Sequence, residues 1–393
     1  MLYDENTYVI IGNGAAGYYA ADSIRKNDKN GKIHIISEES VLTYLRPQLS
    51  KFLGSEVDDS KFYVSQEQWY SDNNIQVTLS TKVKRINTEN NLILLNDGGI
   101  IGYSKLILAN GSHNFIPDLP GVQFDNVFSL RTISDAKKIK KQIVKGKKGI
   151  IVGGGVLGLE AAWSMKNAGM EVTVLENASR LLSRQVDEEG AEMFSQSIAK
   201  SGVNVITNAN VVEIIGDKGV TGLKLKTGEI LDADMVLFSV GIRPNTELAL
   251  QCGIAVNKGV LVNDKMETSC KNIYACGDTA EFNGKVFGNW AAAMNMGKVA
   301  GANAAGVETL FKEFVPSLFF DSMNISLFSC GNYNENNHQL TKKHPEGSYM
   351  KLYFDGDIIT GGFLIGDTKL AVQVLNAVKK GLNTAEVKEK FNI

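Results

Sequence analysis

The sequence predicts an α/β fold: two doubly wound, parallel-sheet halves and a C-terminal α+β segment. Three observations carry this prediction. Gly12-Asn13-Gly14-Ala15-Ala16-Gly17 and Gly153-Gly154-Gly155-Val156-Leu157-Gly158 each follow a short apolar run and open a helical stretch. Each loop is answered by an acid at the end of the next apolar run, Glu38 at 21 positions after Gly17 and Glu176 at 18 after Gly158. Beyond residue 318 the chain alternates apolar and polar residues before a final helical pattern. One GxGxxG is a weak signal. Two of them, each in strand–turn–helix context with an acidic residue about 20 positions on, mark two Rossmann-like dinucleotide-binding domains.

The bulk numbers agree. A chain of 393 residues exceeds one ordinary core, so two or three domains are expected. Hydrophobic content of 44% and charged content of 21% fit a soluble globular protein. A net charge of -2 gives no support to nucleic-acid or membrane binding. The stretch Gly149 to Ala168 carries Glu160 and many glycines, and reads as strand, turn and helix, not as a membrane span. Met1 to Glu5 show neither a basic nor an apolar leader region, and no CxxC or CxxxxC occurs among Cys252, Cys270, Cys276 and Cys330. A cytoplasmic location with reduced thiols is the expectation.

The elements follow in order. Strand Tyr8–Ile11, helix Ala15–Lys26 and strand Lys32–Ser37 make the first unit. A loop, Tyr44-Leu45-Arg46-Pro47-Gln48-Leu49-Ser50-Lys51, follows. Val77–Thr88 and Leu92–Leu95 read as a small sheet by their alternation. Lys105 to Gly111 reads as a buried strand ending in a glycine turn. The second unit repeats the plan with strand Gly149–Val152, helix Leu159–Ala168 and strand Glu171–Leu175. Strand Met235–Val240 runs into Gly241-Ile242-Arg243-Pro244-Asn245. Ile273-Tyr274-Ala275-Cys276-Gly277-Asp278 is another strand-to-turn, and a long helix covers Asn289 to Ala305. Ile325–Ser329, Tyr349–Phe354, Ile358–Leu364 and helix Thr368–Lys380 form the last segment.

Physical chemistry assigns some roles directly. Glycines let a backbone approach a diphosphate, and a helix N-terminus favours its charge. A carboxylate at Glu38 or Glu176 suits two ribose hydroxyls. Glu176 also repels a 2′-phosphate, which favours NADH over NADPH, although Arg180 lies four positions on. His34, His113, His338 and His344 show no metal spacing, and no metal is expected. Nothing places a base beside any cysteine, so the thiols read as inert. The run holding Lys137, Lys138, Lys140, Lys141, Lys145, Lys147 and Lys148 reads as a solvated helix face; its alternative is docking of an acidic protein.

On these motifs the chain resembles the pyridine-nucleotide–disulfide oxidoreductase superfamily. Within it the chain is similar to the FAD-dependent branch of NADH:rubredoxin, ferredoxin and nitrite reductase flavoproteins. The resemblance covers residues 7 to 330 with ordered motifs and runs more loosely to the C-terminus. It implies an FAD domain of residues 1–112 and 243–318, an NAD domain of 113–242 and a C-terminal α+β domain of 319–393. It implies that Gly12, Gly14, Ala15, Ala16, Gly17 and Glu38 hold FAD, with Ala109, Gly111, Gly277 and Asp278, and that Gly241 is a further cofactor-binding residue. Arg46 and Lys51 match the Arg-Pro-x-Leu-Ser-Lys segment beside the flavin. Gly153, Gly155, Val156, Leu157, Gly158 and Glu176 hold NADH. Lys51 and Glu160 are the implied catalytic pair near flavin N5. Trp290 either walls the flavin or packs as core. Two departures stand out. Asn110 sits in the Ala109-Asn110-Gly111 turn where threonine is usual, and Cys276 replaces a small apolar residue.

The resemblance implies an enzyme that passes electrons from NADH through FAD to a small acidic iron–sulfur protein, rubredoxin or ferredoxin-like. Two other readings are an NADH oxidase that reduces oxygen directly, and a flavin-bound redox sensor or assembly factor with slow turnover.

Overall fold

The computed structural model describes residues 6–55, 59–332, 334, 336–343 and 347–393. Met1 to Glu5 and His344, which entered the leader and metal readings above, lie outside the described residues. The chain divides into two compact units: residues 1–49, 56–115 and 241–312, and residues 50–55, 116–240 and 313–393.

The first unit is built on a parallel five-stranded sheet. Its order is Ile273–Ala275, Lys105–Leu108, Thr7–Ile11, Lys32–Ile36, Ile75–Thr78. The strands read as apolar runs because helices cover the sheet, and Val9, Ile10, Ile35, Leu106 and Ile107 are fully buried. The loop strand Thr7–Ile11 is central. The chain leaves it first toward Lys32–Ile36 and later returns on its other side as Lys105–Leu108. That reversal is the switch point where α/β sheets bind ligands. Val77 and Thr78 belong to the edge strand of this sheet, paired with Ile35 and Ile36, so the small sheet is shorter than its alternation predicted. It consists of Val83–Asn87, Leu92–Leu95 and Ile100–Gly102.

The loop helix Ala15–Asn27 packs on the later helix Trp290–Ala304 through small residues. A Cβ on Gly297 would lie 2.3 Å from the Ala16 carbonyl oxygen, and one on Gly301 would lie 2.3 Å from that of Ala20. Backbone therefore touches backbone, which only glycine permits at those two positions.

The second unit repeats the plan. Its parallel sheet runs Asn204–Ile206, Glu171–Leu175, Lys148–Val152, Met235–Phe238, Val127–Ser129. Again the loop strand is central, and again a three-stranded antiparallel sheet, Val211–Gly216, Val220–Leu225 and Ile230–Asp232, intervenes before the switch. The loop helix starts at Val156 and ends at Asn167, three residues earlier than apolar periodicity placed its start. The lysine helix Ile133–Gln142 opens on a capping box between Thr132 and Asp135.

The C-terminal residues add an antiparallel sheet in the order Ser317–Ser322, Ile325–Gly331, Ile358–Ile365, Tyr349–Asp355, Gln339–Lys343. One face, with Phe328, Met350, Leu352 and Phe354, packs on helices Ala371–Lys380 and Thr384–Phe391. The first helix begins at Ala371, not Thr368, because Asp367 turns the chain by accepting the Lys369 N–H at 3.0 Å. The other face meets helix Glu188–Lys200. There Phe320 stands edge-on to Phe194 at 5.3 Å, and Ser329 Oγ donates to the Gln185 carbonyl at 2.8 Å. Asp187 caps that helix by accepting the Gly190 N–H at 2.9 Å, and it also accepts from Tyr353 Oη at 2.9 Å and from Lys351 Nζ. Burial alone would raise the Asp187 carboxyl, but Lys351, the Gly190 N–H and Tyr353 outweigh it and hold it below the ordinary aspartate value.

This buried pair carries a stability prediction. Asp187 binds a proton less readily folded than unfolded. Its contribution is therefore present above the ordinary aspartate value of 3.8 and is lost as pH falls through the lower folded value. Asp187→Asn leaves Lys351 buried without its counter-charge and should cost about 3 kcal/mol at neutral pH. The variant should also show a shallower loss of stability below about pH 4. Urea unfolding from pH 3 to 7 measures both, and equal slopes in the two proteins would contradict the assignment.

Candidate functional site

In each Gly loop the three glycines do different work. Gly12 and Gly153 sit at φ +107° and +115°, the region that favours glycine. A Cβ on Gly12 would lie 2.2 Å from the Ala109 carbonyl oxygen, and one on Gly153 would lie 2.3 Å from that of Ser239. Gly17 and Gly158 let the helix press on its own strand end, where a Cβ would stand 1.9 Å and 2.1 Å from the carbonyls of Gly12 and Gly153. The middle glycines face open space. A Cβ on Gly14 would meet only Arg46 Nη2, at 4.0 Å, and one on Gly155 would meet nothing within 4 Å.

Both loop helices also begin without a side-chain cap, on Gly14 and Gly155. Helices Ile133–Gln142, Glu188–Lys200, Trp290–Ala304 and Thr384–Phe391 are each capped by a side chain, whereas Glu67–Asp72, Glu247–Gln251 and Ala371–Lys380, like the loop helices, are not. An uncapped helix end leaves backbone N–H groups and a positive dipole end for an anion. Each loop is thus a cradle that side chains leave clear, of the chemistry a dinucleotide diphosphate needs.

Around the first cradle, Arg46 Nη2 donates to Glu39 Oε1 at 2.7 Å, and the guanidinium lies 5.1 Å over the Tyr44 ring. Burial opposes the Arg46 charge, but Tyr44, Glu39 and Asp278 outweigh it and hold its pKa above the ordinary value. Asp278 lies in the turn Gly277–Thr279 after strand Ile273–Ala275 and accepts from Ser112 Oγ at 3.0 Å. Gly277 stands close to the loop helix, since a Cβ there would be 2.7 Å from that of Ala16. Ala109 is buried and Gly111 turns at φ +68°. Asn110 answers its departure from the usual residue: its Nδ2 donates to the Asn245 carbonyl at 3.0 Å, and Asn245 Nδ2 returns a bond to the Asn110 carbonyl at 2.7 Å. Asn245 O also accepts from Thr279 Oγ1 at 2.8 Å, so it ties together the turns that carry Gly111 and Asp278. Gly241, at φ +105°, accepts the Phe115 N–H at 2.9 Å.

Glu38 stands at its strand end, 69% exposed and 3.3 Å from Lys82. Trp290 is the first residue of its helix and is half-buried.

In the second unit, Glu176 is fixed at the cradle. Its Oε2 accepts the Gly154 N–H and its Oε1 the Ala178 N–H, both at 2.8 Å. A carboxylate so held keeps lone pairs for two ribose hydroxyls. Val156 opens the loop helix, and Leu157 in its first turn is exposed. Glu160, one turn further, accepts from Ser50 Oγ at 2.7 Å. Burial raises the Glu160 pKa, while Ser50 and the Lys51 charge pull it back. Lys51 is exposed; it acts on Glu160 through its field, and Ser50 makes the direct contact.

The lysine run is not uniformly solvated. Lys140 Nζ donates to the Ser55 carbonyl at 2.8 Å, Lys147 bonds Asp234 at 2.7 Å and Lys148 bonds Asp232 at 2.9 Å. Lys137, Lys138, Lys141 and Lys145 are exposed. Burial pushes the Cys276 and Cys330 thiols up to about 12, far from thiolate reactivity. Among the described residues no three His, Cys, Asp or Glu side chains converge as a metal site, and no helix is long and apolar enough to cross a membrane.

Residues 6–297 match the pyridine nucleotide-disulphide oxidoreductase family, and residues 316–382 match the rubredoxin NAD+ reductase C-terminal domain. The chain belongs to the pyridine nucleotide-disulphide oxidoreductase family. It is 34% identical to a nitrite reductase [NAD(P)H] of Bacillus subtilis over 96% of this chain, but spans only 48% of that relative. It is 33% identical to the NADH-rubredoxin oxidoreductase of Clostridium acetobutylicum over 94% of this chain and 93% of that protein. The reductase in a covalent putidaredoxin reductase–putidaredoxin complex superposes with a TM-score of 0.88 at 26% identity, covering 97% of this chain and 94% of that one. This family member's fold, two parallel-sheet dinucleotide folds and an antiparallel C-terminal sheet, is the one the sequence predicts.

Sequence reasoning missed Ser50 and Asn245. Ser50 lay inside the quoted Arg46-to-Lys51 segment, but its bond to Glu160 joins residues 110 positions apart. Spacing alone carries no such signal. A titration tests that bond. Ser50→Ala should move the Glu160 carboxyl to a higher pKa, because the bond that favours its charged form is gone. Infrared difference spectra, with Glu160→Gln as the blank, would show the shift; an unmoved carboxyl band would refute it.

Proposed function

We propose that this chain passes electrons from NADH through FAD to a small acidic iron–sulfur protein, rubredoxin or a ferredoxin-like carrier. The paired, uncapped glycine cradles carry the reading, because two dinucleotide sites on one chain imply one resident and one exchanging cofactor. The match of residues 316–382 to a rubredoxin reductase C-terminal domain, and near full-length likeness to an NADH-rubredoxin oxidoreductase, favour the carrier.

FAD belongs to the first cradle, in a domain of residues 1–112 and 243–318. NADH belongs to the second, in residues 113–242, and residues 319–393 form the C-terminal domain. Bound FAD supplies the exchange between two-electron and one-electron chemistry. The chain's own groups bind and orient. Gly12, Gly14, Ala15, Ala16 and Gly17 present backbone to the FAD diphosphate, and Arg46 adds a cation beside it. Glu38 takes the adenosine ribose, and Asp278 with Ala109, Gly111 and Gly277 shapes the remaining contacts; Gly241 is a further cofactor-binding residue. Trp290 stands at the wall of that site. Gly153, Gly155, Val156, Leu157 and Gly158 cradle the NADH diphosphate. Lys51 and Glu160 are the catalytic pair, with Lys51 supplying positive field and Ser50 keeping Glu160 oriented.

Glu176 sets the nucleotide preference. Fixed by two backbone N–H groups, it cannot swing away from a 2′-phosphate. kcat/KM for NADH should exceed that for NADPH by at least about tenfold, the effect of about 1.4 kcal/mol of charge repulsion. Equal values would remove Glu176 from the argument.

The acceptor is tested by following reoxidation of the NADH-reduced enzyme by rubredoxin, ferredoxin and oxygen in parallel. Rubredoxin should be fastest, and its rate should fall between about 0.01 and 0.5 M salt as screening shortens. A rubredoxin rate no greater than the oxygen rate would replace this reading with that of an NADH oxidase.

A further inference from the structure

The loop between strand Lys32–Ile36 and the turn at Arg46 sends one buried side chain back onto the first cradle. Thr43 is 1% exposed. Its Oγ1 lies 2.8 Å from the Asn13 carbonyl oxygen and 2.9 Å from Asn13 Oδ1, and shares its single proton between them. Tyr70, also buried, brings its Oη to 3.0 Å from Thr43 Oγ1 and 3.4 Å from Asn13 Oδ1, and donates into the pair. The clamp is itself fixed, because the Thr43 carbonyl accepts the Val64 N–H at 2.8 Å and Leu45 N–H donates to Phe62 O at 2.8 Å. Tyr70 is held in the aromatic cluster with Trp69 and Tyr18, at ring distances of 4.9 and 6.1 Å.

The consequence follows from the peptide bond. In a planar trans peptide the C=O and the N–H point in opposite directions. Asn13 O and the Gly14 N–H belong to one peptide unit. Capturing the oxygen on the Thr43 side turns the Gly14 N–H away from Thr43. Gly14 is the residue whose missing side chain leaves the cradle open. The glycine-rich stretch would otherwise flip this peptide easily, and a flipped carbonyl would face a diphosphate with like charge.

We propose that Thr43, steadied by Tyr70, is a positioning residue for dinucleotide binding: it locks the Asn13–Gly14 peptide with its N–H presented to the FAD diphosphate. This rests on the assignment of FAD to the first cradle. Nothing in the glycine fingerprint itself demands a hydroxyl at this place; the clamp is a property of this chain's own loop. In the second cradle the corresponding peptide joins Gly154 to Gly155, and the side-chain contact falls one peptide earlier, where the Gly154 N–H donates to Glu176.

The test uses the flavin-loaded protein. FAD release after dilution is followed by the rise of free flavin fluorescence. Thr43→Val removes the donor at nearly constant volume and should speed release about 3- to 10-fold, the worth of one buried neutral hydrogen bond. Thr43→Ser, which keeps the hydroxyl, should restore the wild-type rate within about 2-fold. Tyr70→Phe should fall between them. KM for NADH should not move in any of the three, because the second cradle is untouched. A general loosening of the protein would not be rescued by serine. Gly14→Ala separates the two layers of the argument. Gly14 has ordinary backbone angles, φ -83° and ψ -169°, and room for a Cβ, so this variant should fold but fail to retain FAD. If Gly14→Ala loses FAD and Thr43→Val releases it at the wild-type rate, the clamp is wrong and the site assignment stands. If Gly14→Ala retains FAD as the wild type does, the assignment itself falls, and the clamp with it.

Discussion

In each unit the loop helix presses on the end of its own strand, backbone against backbone. Gly17 and Gly158 lie so near the carbonyls of Gly12 and Gly153 that no other residue fits. This contact fixes the angle at which the helix leaves the sheet. It therefore fixes where the helix N-terminus points, and so where an anion can sit. Much else is arranged around it. The first helix is pressed from its other side by Gly297 and Gly301, and its N-terminal turn is met by Gly277. That places the Asp278 turn beside the cradle. The geometry of the site is thus set by what is missing, a handful of Cβ atoms, more than by attractive side-chain contacts.

How much of this the sequence discloses follows from the range of each interaction. Local periodicity and glycine spacing exposed both loop strands, both loop helices and the strand-end acids, because each is decided within about twenty residues. Val77–Thr78 was misplaced for the opposite reason. Its alternation suits either sheet, and only pairing with Ile35 and Ile36 decides it. Helix Thr384–Phe391 was legible and unread: Asn383 and Glu386 form a capping box at the usual spacing. The candidate site divides along the same line. The cradles and Glu176 could be read from motifs. The Ser50–Glu160 bond, the Asn110–Asn245 clasp and the Thr43 clamp join residues 110, 135 and 30 positions apart, and no local pattern encodes them.

The lysine run shows how composition misleads. Seven lysines in a dozen positions read as one solvated face. In the fold they divide by partner. Lys147 and Lys148 answer Asp234 and Asp232 at the end of the central sheet, and Lys140 reaches back to Ser55 and over the Phe52 ring at 4.8 Å. Ser55 and Phe52 lie on the short segment that also supplies Ser50 and Lys51. A residue that seemed to belong to a surface therefore helps to hold the chain beside Glu160.

The two cradles have nearly the same backbone but opposite electrostatic surroundings, and that difference bears on which dinucleotide stays. Beside Gly14 stands the Arg46 guanidinium, held charged by Glu39, Tyr44 and Asp278. Beside Gly154 stands the Glu176 carboxylate, held in place by the N–H groups of Gly154 in the loop and of Ala178. A diphosphate entering the first cradle gains a cation in a half-buried setting, where screening is weak. One entering the second meets backbone N–H groups and a helix dipole, with an anion nearby. The first arrangement favours a ligand that remains bound through many turnovers. The second favours one that arrives, is recognised at its ribose and leaves. The repeated fold thus supplies the same cradle twice, and on the proposed function the Arg46 cation suits a resident FAD while the Glu176 carboxylate suits an exchanging NADH.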